Sequence, residues 1–264
     1  MSTPSVGAYR TALVTGASSG IGQALAERLA ADGTLVVLAA RRAERLHEVA
    51  DGIEHDGGDA RVEAMDVSDT TATVARIRAL DAELGGFDLV IANAGVGMNH
   101  RGLPSYAWEA MAGACHINFC GAAATLTAVL PQMVERQRGH VVGISSIASF
   151  TPIPGRGGYC APKAGLSMLL ECLRLELAGT GVHATAVHPG FVRTAMTARS
   201  KGAMPFVMDT RDAAERIVTA LPAAPATIDF PWQLATVAKV GAALPRLLRD
   251  VLVGAAAGRR PSSD

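Results

Sequence analysis

The sequence predicts an α/β protein built on a doubly wound parallel sheet, and three observations carry that prediction. Short apolar runs of strand length alternate with stretches of 3.6-residue hydrophobic period, a βαβαβ rhythm. Glycine is abundant, 28 in 264 residues, and gathers where the periodic segments end. A glycine-rich turn, Thr15-Gly16-Ala17-Ser18-Ser19-Gly20-Ile21-Gly22, stands between the first strand and the first helix. Crossovers between parallel strands are right-handed, so such a chain winds helices onto both faces of the sheet.

In chain order, the pattern predicts strands over residues 12–14, 35–39 and 61–67, with helices over 21–31 and 43–53 between them. A helix over 71–84, a strand over 89–92, one long helix over 106–136 and a strand over 141–144 follow. The rhythm closes with a helix over 159–177 and a strand over 183–187. Gly33, Gly57, Gly58, Gly85, Gly86, Gly139, Gly179 and Gly181 stand where helix ends require positive φ. Past His188-Pro189-Gly190 the period is lost over 193–209, which reads as a mobile loop. A helix over 211–221, a last strand at Thr227–Phe230 and a helix over 232–252 complete the chain.

Composition removes several function classes. Lys plus Arg and Asp plus Glu balance at 24 each, so no net field favours nucleic acid. Charged residues are 18% of the chain against a typical ~25%, which argues against disorder. The N-terminal stretch has neither a basic nor an apolar segment, so a cytoplasmic address is expected. Cys115, Cys120, Cys160 and Cys172 form no C-x-x-C pair and are expected as small buried hydrophobes, with no metal site. The best membrane candidate, 232–258, is interrupted by Lys239, Pro245, Arg246, Arg249 and Asp250, so no integral membrane segment is expected.

The chemistry is written in four places. The glycines of the 15–22 turn let backbone approach a diphosphate at a helix N-terminus, placing Gly16, Ser18, Ser19, Gly20, Ile21 and Gly22 in a nucleotide site. At the end of the second strand, where a carboxylate would grip ribose hydroxyls, stand Arg41 and Arg42. A guanidinium grips a 2′-phosphate, so NADP(H) is preferred, with NAD(H) as second choice. Asp66 and Val67, ending the third strand, are placed to bracket the adenine. Tyr159 and Lys163, at i and i+4, share a helix face, where the ammonium would lower the phenol's pKa and make it a usable acid or base.

With these residues in view, the chain resembles the short-chain dehydrogenase/reductase family over residues 10–195. The family's T-G-x-x-x-G-x-G corresponds to Thr15 through Gly22, its N-A-G to Asn93-Ala94-Gly95, and its Y-x-x-x-K to Tyr159 and Lys163. Its serine corresponds to Ser146, its helix asparagine to Asn118, and its P-G motif to Pro189-Gly190, followed by Val192 and Thr194. The resemblance implies a Rossmann fold and hydride transfer between nicotinamide and a ketone, aldehyde or secondary alcohol. It implies that Ser146 binds the carbonyl oxygen, Tyr159 protonates it, Lys163 holds the nicotinamide ribose, and Asn118 carries a water joining Lys163 to solvent. Asn93, Ala94 and Gly95 would shape the ribose site and Thr194 would reach the carboxamide, while Ser145 is expected to serve packing alone.

Residues 1–230 are thus expected as one dinucleotide-binding and catalytic domain, 231–257 as a helical extension or lid packed on it, and 258–264 as a flexible tail. Phe150, Pro152, Ile153, Phe206, Met196, Met204 and Met208 point to an apolar small-molecule substrate. His100, His116, His183 and His188 show no metal spacing and no partnered carboxylate, and are expected to be structural. Two alternatives stay open: a non-catalytic NADP(H) sensor or scaffold on this fold, and a membrane-surface reductase. The second rests on Leu234, Val237, Gly241, Leu244, Leu248 and Val251, which nearly share a helical face. The resemblance implies interfaces through the two long helices and through the last strands; small and branched apolar residues leave the first available and the C-terminal extension obstructs the second, so a homodimer is expected.

Overall fold

The computed structural model describes residues 9–97, 107–198 and 204–250. Seven parallel strands form one sheet in the order β3-β2-β1-β4-β5-β6-β7. They are β1 (Thr11–Thr15), β2 (Leu35–Ala40), β3 (Ala60–Ala64), β4 (Leu89–Ala92), β5 (Gly139–Ile144), β6 (Val182–Pro189) and β7 (Thr227–Phe230). The helices of the first half are α1 (Gly20–Ala31), α2 (Ala43–His55) and α3 (Thr70–Glu83). Those of the second half are α4 (Trp108–Cys115), α5 (Ala122–Thr127), α6 (Leu130–Glu135), α7 (Gly157–Glu176), α8 (Thr210–Ala220) and α9 (Trp232–Ala243).

Two apolar layers hold the helices to the sheet. One joins Leu25 and Leu29 of α1, Leu46 of α2 and Ile217 of α8 to Val14, Val36 and Ile91. The other joins Ile77 of α3, Leu126 of α5 and Leu166 and Leu170 of α7 to Leu13, Val90 and Val141. Every residue of β1, β4 and β5 is buried, because both sheet faces are covered. The strand order reverses between β1 and β4, and a crevice opens there at the carboxyl ends of the strands.

Four expectations are corrected. The helix expected over 106–136 is α4, a π-helical turn at His116–Gly121, α5 and, after a turn at Ala128 and Val129, α6. The helix expected over 232–252 is interrupted after α9, because Leu244 precedes Pro245 and is pushed to extended backbone at φ −68°, ψ 147°. Gly139 is the first residue of β5, and Gln137, at φ 52°, takes the left-handed position after α6. The cysteines are unpaired but not buried: three are half-buried and Cys172 is exposed.

Helix α9 packs on β7 and on a 3-10 turn at Ile147–Ser149. Ala235 and Ala238 face the body, while Val237 and Leu248 are exposed, so the apolar face expected from the sequence is rotated. The helical run Trp108–Glu135 is long and apolar enough to cross a membrane, but half of that window is buried inside the fold. Packing against α3 and α7 therefore accounts for its apolar side chains. His100 and the tail at 258–264 lie outside the described residues.

Candidate active site

The floor of the crevice is the turn from β1 into α1. Gly16 and Gly20 adopt φ of +70° and +64°. A Cβ on Gly16 would lie 2.8 Å from the Ala94 Cα, and one on Gly22 would lie 2.3 Å from Asn93 Nδ2 and 2.4 Å from the Gly16 oxygen. Only glycine permits this approach of α1, the turn and the end of β4. Thr15 ties the same elements together: its Oγ1 accepts from the backbone N–H groups of Asn93 and Ala94 at 3.1 and 3.2 Å, and its carbonyl accepts from Asn93 Nδ2 at 2.9 Å. Ser19 occupies the N-cap of α1 without a side-chain cap, so the positive helix end faces the cleft.

The end of β2 supplies the cations. Arg42 Nη2 donates to Ser18 Oγ at 2.9 Å and to Ser19 Oγ at 3.1 Å, which lays its guanidinium along the glycine turn. Arg41 turns the other way, 3.9 Å from Asp66 Oδ2. Asp66 Oδ1 accepts from the N–H and hydroxyl of Ser68. Those bonds, the backbone N–H foremost, hold its carboxyl below the usual range despite partial burial.

Across the cleft, Ser146 ends the extended segment after β5 and accepts from Ala148 N at 3.1 Å. Burial raises the pKa of Tyr159, and a hydrogen bond with Ser146 opposes the rise. The phenol is therefore held protonated at neutral pH. Lowering of this phenol's pKa by Lys163 was expected, but the Lys163 ammonium is directed elsewhere. Its Nζ donates to the Ile144 oxygen at 2.6 Å. Burial of that cation pulls its pKa from 10.5 to about 8.

Asn118 is fully buried in the π-helical turn, and its amide clasps the Val96 backbone, accepting from N at 2.8 Å and donating to O at 2.9 Å. Its side chain is thus committed to the β4 loop. A Cβ on Gly95 would meet Asn118 Oδ1 at 3.0 Å and Lys163 Nζ at 3.6 Å, so the three form one cluster.

One cleft brings together Gly16, Ser18, Ser19, Gly20, Ile21, Arg41, Arg42, Asp66, Val67, Asn93, Ala94, Gly95, Ser146, Tyr159, Lys163, Pro189, Gly190, Val192 and Thr194. Gly22 and Asn118 stand behind its wall, where they shape the lining. Met196, expected in an apolar pocket, does line the cleft with Val96 and Ala195, whereas sequence reasoning missed Met65, Ile117 and Ile144, and no residue of α9 lines the cleft. Phe150, expected in the substrate pocket, stacks instead on the His188 ring with centroids 4.5 Å apart. His188 does have a carboxylate partner, Asp229, at 2.7 Å, which corrects the expectation that it has none. Ser145 is buried and donates to the Lys163 carbonyl at 2.9 Å, so it does more than pack. Among the described residues, no group of three His, Cys, Asp or Glu could hold a metal.

A family model described as short chain dehydrogenase matches residues 10–204. The chain belongs to the short-chain dehydrogenase family. An uncharacterized oxidoreductase of Myxococcus xanthus (strain DK1622) is 49% identical over 244 residues, 92% of this chain and 95% of that protein. Among solved structures, a short-chain dehydrogenase from Sphingobium yanoikuyae in complex with NADPH superposes with a TM-score of 0.78 at 27% identity, covering 96% of this chain and 98% of that one. A metagenomic short-chain oxidoreductase in complex with NADP gives 0.71 at 32%, covering 84% and 92%.

The buried cation of this short-chain dehydrogenase has a thermodynamic signature. Because the folded pKa of Lys163 lies below the unfolded value, the unfolded chain holds the extra proton between about pH 8 and 10.5, and stability rises with pH across that window. Lys163→Met should therefore be more stable than the native chain at pH 7 by on the order of 1–3 kcal/mol. Urea unfolding without cofactor should show this gain shrinking toward zero above pH 10. A gain that is the same at pH 7 and pH 10 would refute the burial argument.

Proposed function

We propose that this short-chain dehydrogenase is an NADP(H)-dependent carbonyl reductase or alcohol dehydrogenase acting on an apolar ketone, aldehyde or secondary alcohol. The observation that carries the proposal is that Ser146, Tyr159 and Lys163 line one cleft with the glycine turn, where burial keeps the Tyr159 phenol protonated. When bound, the nicotinamide supplies or accepts the hydride. The glycine turn and the open α1 N-terminus fit its diphosphate, since Gly16 and Gly22 let α1 start directly against the ends of β1 and β4 and so bring its first backbone N–H groups to the cleft. Arg42, resting on Ser18 and Ser19, and Arg41, across from Asp66, fit the 2′-phosphate of NADP(H) better than the diol of NAD(H).

In the direction of reduction, the Ser146 hydroxyl donates to the carbonyl oxygen and the Tyr159 phenol gives that oxygen its proton, so the product leaves as an alcohol. Lys163 presents a cation to the ribose hydroxyls beside Gly95, and the π-helical turn around Asn118 sets the wall behind it. Val96, Ile117, Ala195 and Met196 line the cleft and suit an apolar substrate. Trp108 on α4 and Met168 and Leu175 on α7 are exposed, which supports pairing of two copies through these helices.

Tyr159→Phe should reduce turnover of a carbonyl panel by at least about a thousandfold while leaving NADPH affinity within about twofold, because the phenol acts on the reacting oxygen alone. Cofactor fluorescence titration beside initial rates checks this, and retained turnover in the variant contradicts the role. Replacing both Arg41 and Arg42 by Ala should erase a roughly 10–100-fold preference for NADPH over NADH in kcat/KM, the equivalent of about 1.5–3 kcal/mol for a charge-assisted contact. Equal use of the two cofactors by the native enzyme would defeat this assignment. Light scattering on a sizing column should return a dimer, and a stable tetramer would refute the pairing through α4 and α7 alone.

A further inference from the structure

A polar chain, buried at Ser145 and His188 and exposed at Lys239, runs from the catalytic wall to the C-terminal helix, and nothing in the proposed chemistry uses it. It begins where β6 and β7 end side by side, with His188 and Asp229 opposed in register. The Asp229 carboxylate can only accept, so Nδ1 of the buried His188 ring donates to Asp229 Oδ1 at 2.7 Å. In the neutral ring, Nε2 accepts from Ser167 Oγ at 3.0 Å. The remaining hydroxyl hydrogen, that of Ser145, is shared between Ser167 Oγ at 2.8 Å and the Lys163 carbonyl at 2.9 Å. On the far side, Asp229 Oδ2 accepts from Thr227 Oγ1 at 3.2 Å and from Lys239 Nζ of α9.

An aromatic contact ties a second element to the same node. The Phe150 ring packs on His188 at a tilt of 43°, and Lys239 Nζ sits 5.1 Å from the centre of the Phe150 ring. Phe150 caps the 3-10 turn that starts at Ser146. One ammonium on α9 thus holds both the carboxylate that orients His188 and the aromatic ring that ends the Ser146 turn. Burial would raise the Asp229 carboxyl, but the bonds from His188 and Lys239 outweigh it and hold the group at about 2, so the anion persists through the neutral range.

The order Asp229, His188, Ser167 has the hydrogen-bond sequence of a hydrolytic triad, yet the surroundings exclude that role. Ser167 Oγ is engaged with His188 and Ser145, and neither Ser167 nor His188 lines the cleft. A nucleophile needs a substrate path and an oxyanion site. The chain ends instead on the backbone of one functional residue and the turn of another.

We infer that Lys239 and Asp229 are positioning residues, which act through His188 and Phe150 to hold the Lys163 backbone and the Ser146 turn in register. Helix α9, which contributes nothing to the cleft lining, is then a working part of the reductase site. This inference rests on the reductase reading for its kinetic consequence, because a sub-ångström displacement of Ser146 against Lys163 slows the step they support.

The test uses the full-length chain with Lys239→Met, which keeps the stem and removes the charge, and Lys239→Arg, which keeps the charge. Lys239→Met should lower kcat about tenfold with the KM for NADPH within about twofold, and Lys239→Arg should recover most of the loss. Hydrogen exchange of the same proteins without substrate should quicken at residues 147–150 and 163–167 in Lys239→Met and return to native rates in Lys239→Arg. Exchange changes confined to 232–243, or an unchanged kcat, would overturn the inference. If the native chain turns over no carbonyl, the reductase reading falls, and the exchange pattern alone decides whether the positioning chain exists.

Discussion

The missing side chain at Gly22 is the constraint on which the cleft depends. Helix α1 can start directly against the carboxyl ends of β1 and β4 only because nothing projects between it, the Gly16 oxygen and the Asn93 amide. That contact brings a helix N-terminus to the place where the strand order reverses, which is where backbone N–H groups and the helix dipole favour an anion. Thr15 then locks the two strand ends together through three hydrogen bonds, two from Asn93 and one from Ala94. The cations of β2 and the Ser-Tyr-Lys wall after β5 are positioned relative to this junction.

Opposite the junction, the electrostatics are those of scarce water. Tyr159 keeps its proton and Lys163 loses part of its hold on its own for the same reason: each charged form is poorly solvated there. A neutral phenol beside a serine hydroxyl is set up to donate, whereas oxidation would first require its proton to leave. At neutral pH the unliganded site thus carries the proton that the proposed reduction would spend. A lysine held this way destabilises the folded chain for the sake of chemistry, a common trade at active sites.

Much of this was legible in the sequence, for reasons that can be traced to particular residues. Central strands buried on both faces announce themselves as apolar runs, so β1, β2 and β4 were predicted to within a residue or so of their ends. Tyr159 and Lys163 are four apart on one helix, and the glycine turn is contiguous; both are local patterns. The missed features are those that depend on register or on competing partners. His188 and Asp229 are 41 positions apart and meet only because β6 pairs with β7 in one register. Which arginine lies on the phosphate turn was likewise hidden, since Arg41 is drawn to Asp66 and Arg42 to the serines. Phe150 was placed in the pocket because aromatic character is visible in a sequence and an imidazole partner is not.

The π-helical turn at His116–Gly121 has a consequence for the second half of the molecule. An ideal α-helix advances about 100° per residue, so one extra residue in a single wide turn shifts the phase of everything beyond it by roughly that angle. Trp108, exposed on α4, and Leu126, fully buried on α5, therefore belong to two different helical wheels, joined at Asn118. No single apolar stripe can be drawn along 108–127, which is why the segment reads as long and uniformly apolar. The turn works as a rotary coupling: upstream of it only Ala114 of α4 is buried, with Trp108 left outward, and downstream Ala122, Ala124, Thr125 and Leu126 of α5 are all delivered to the interior.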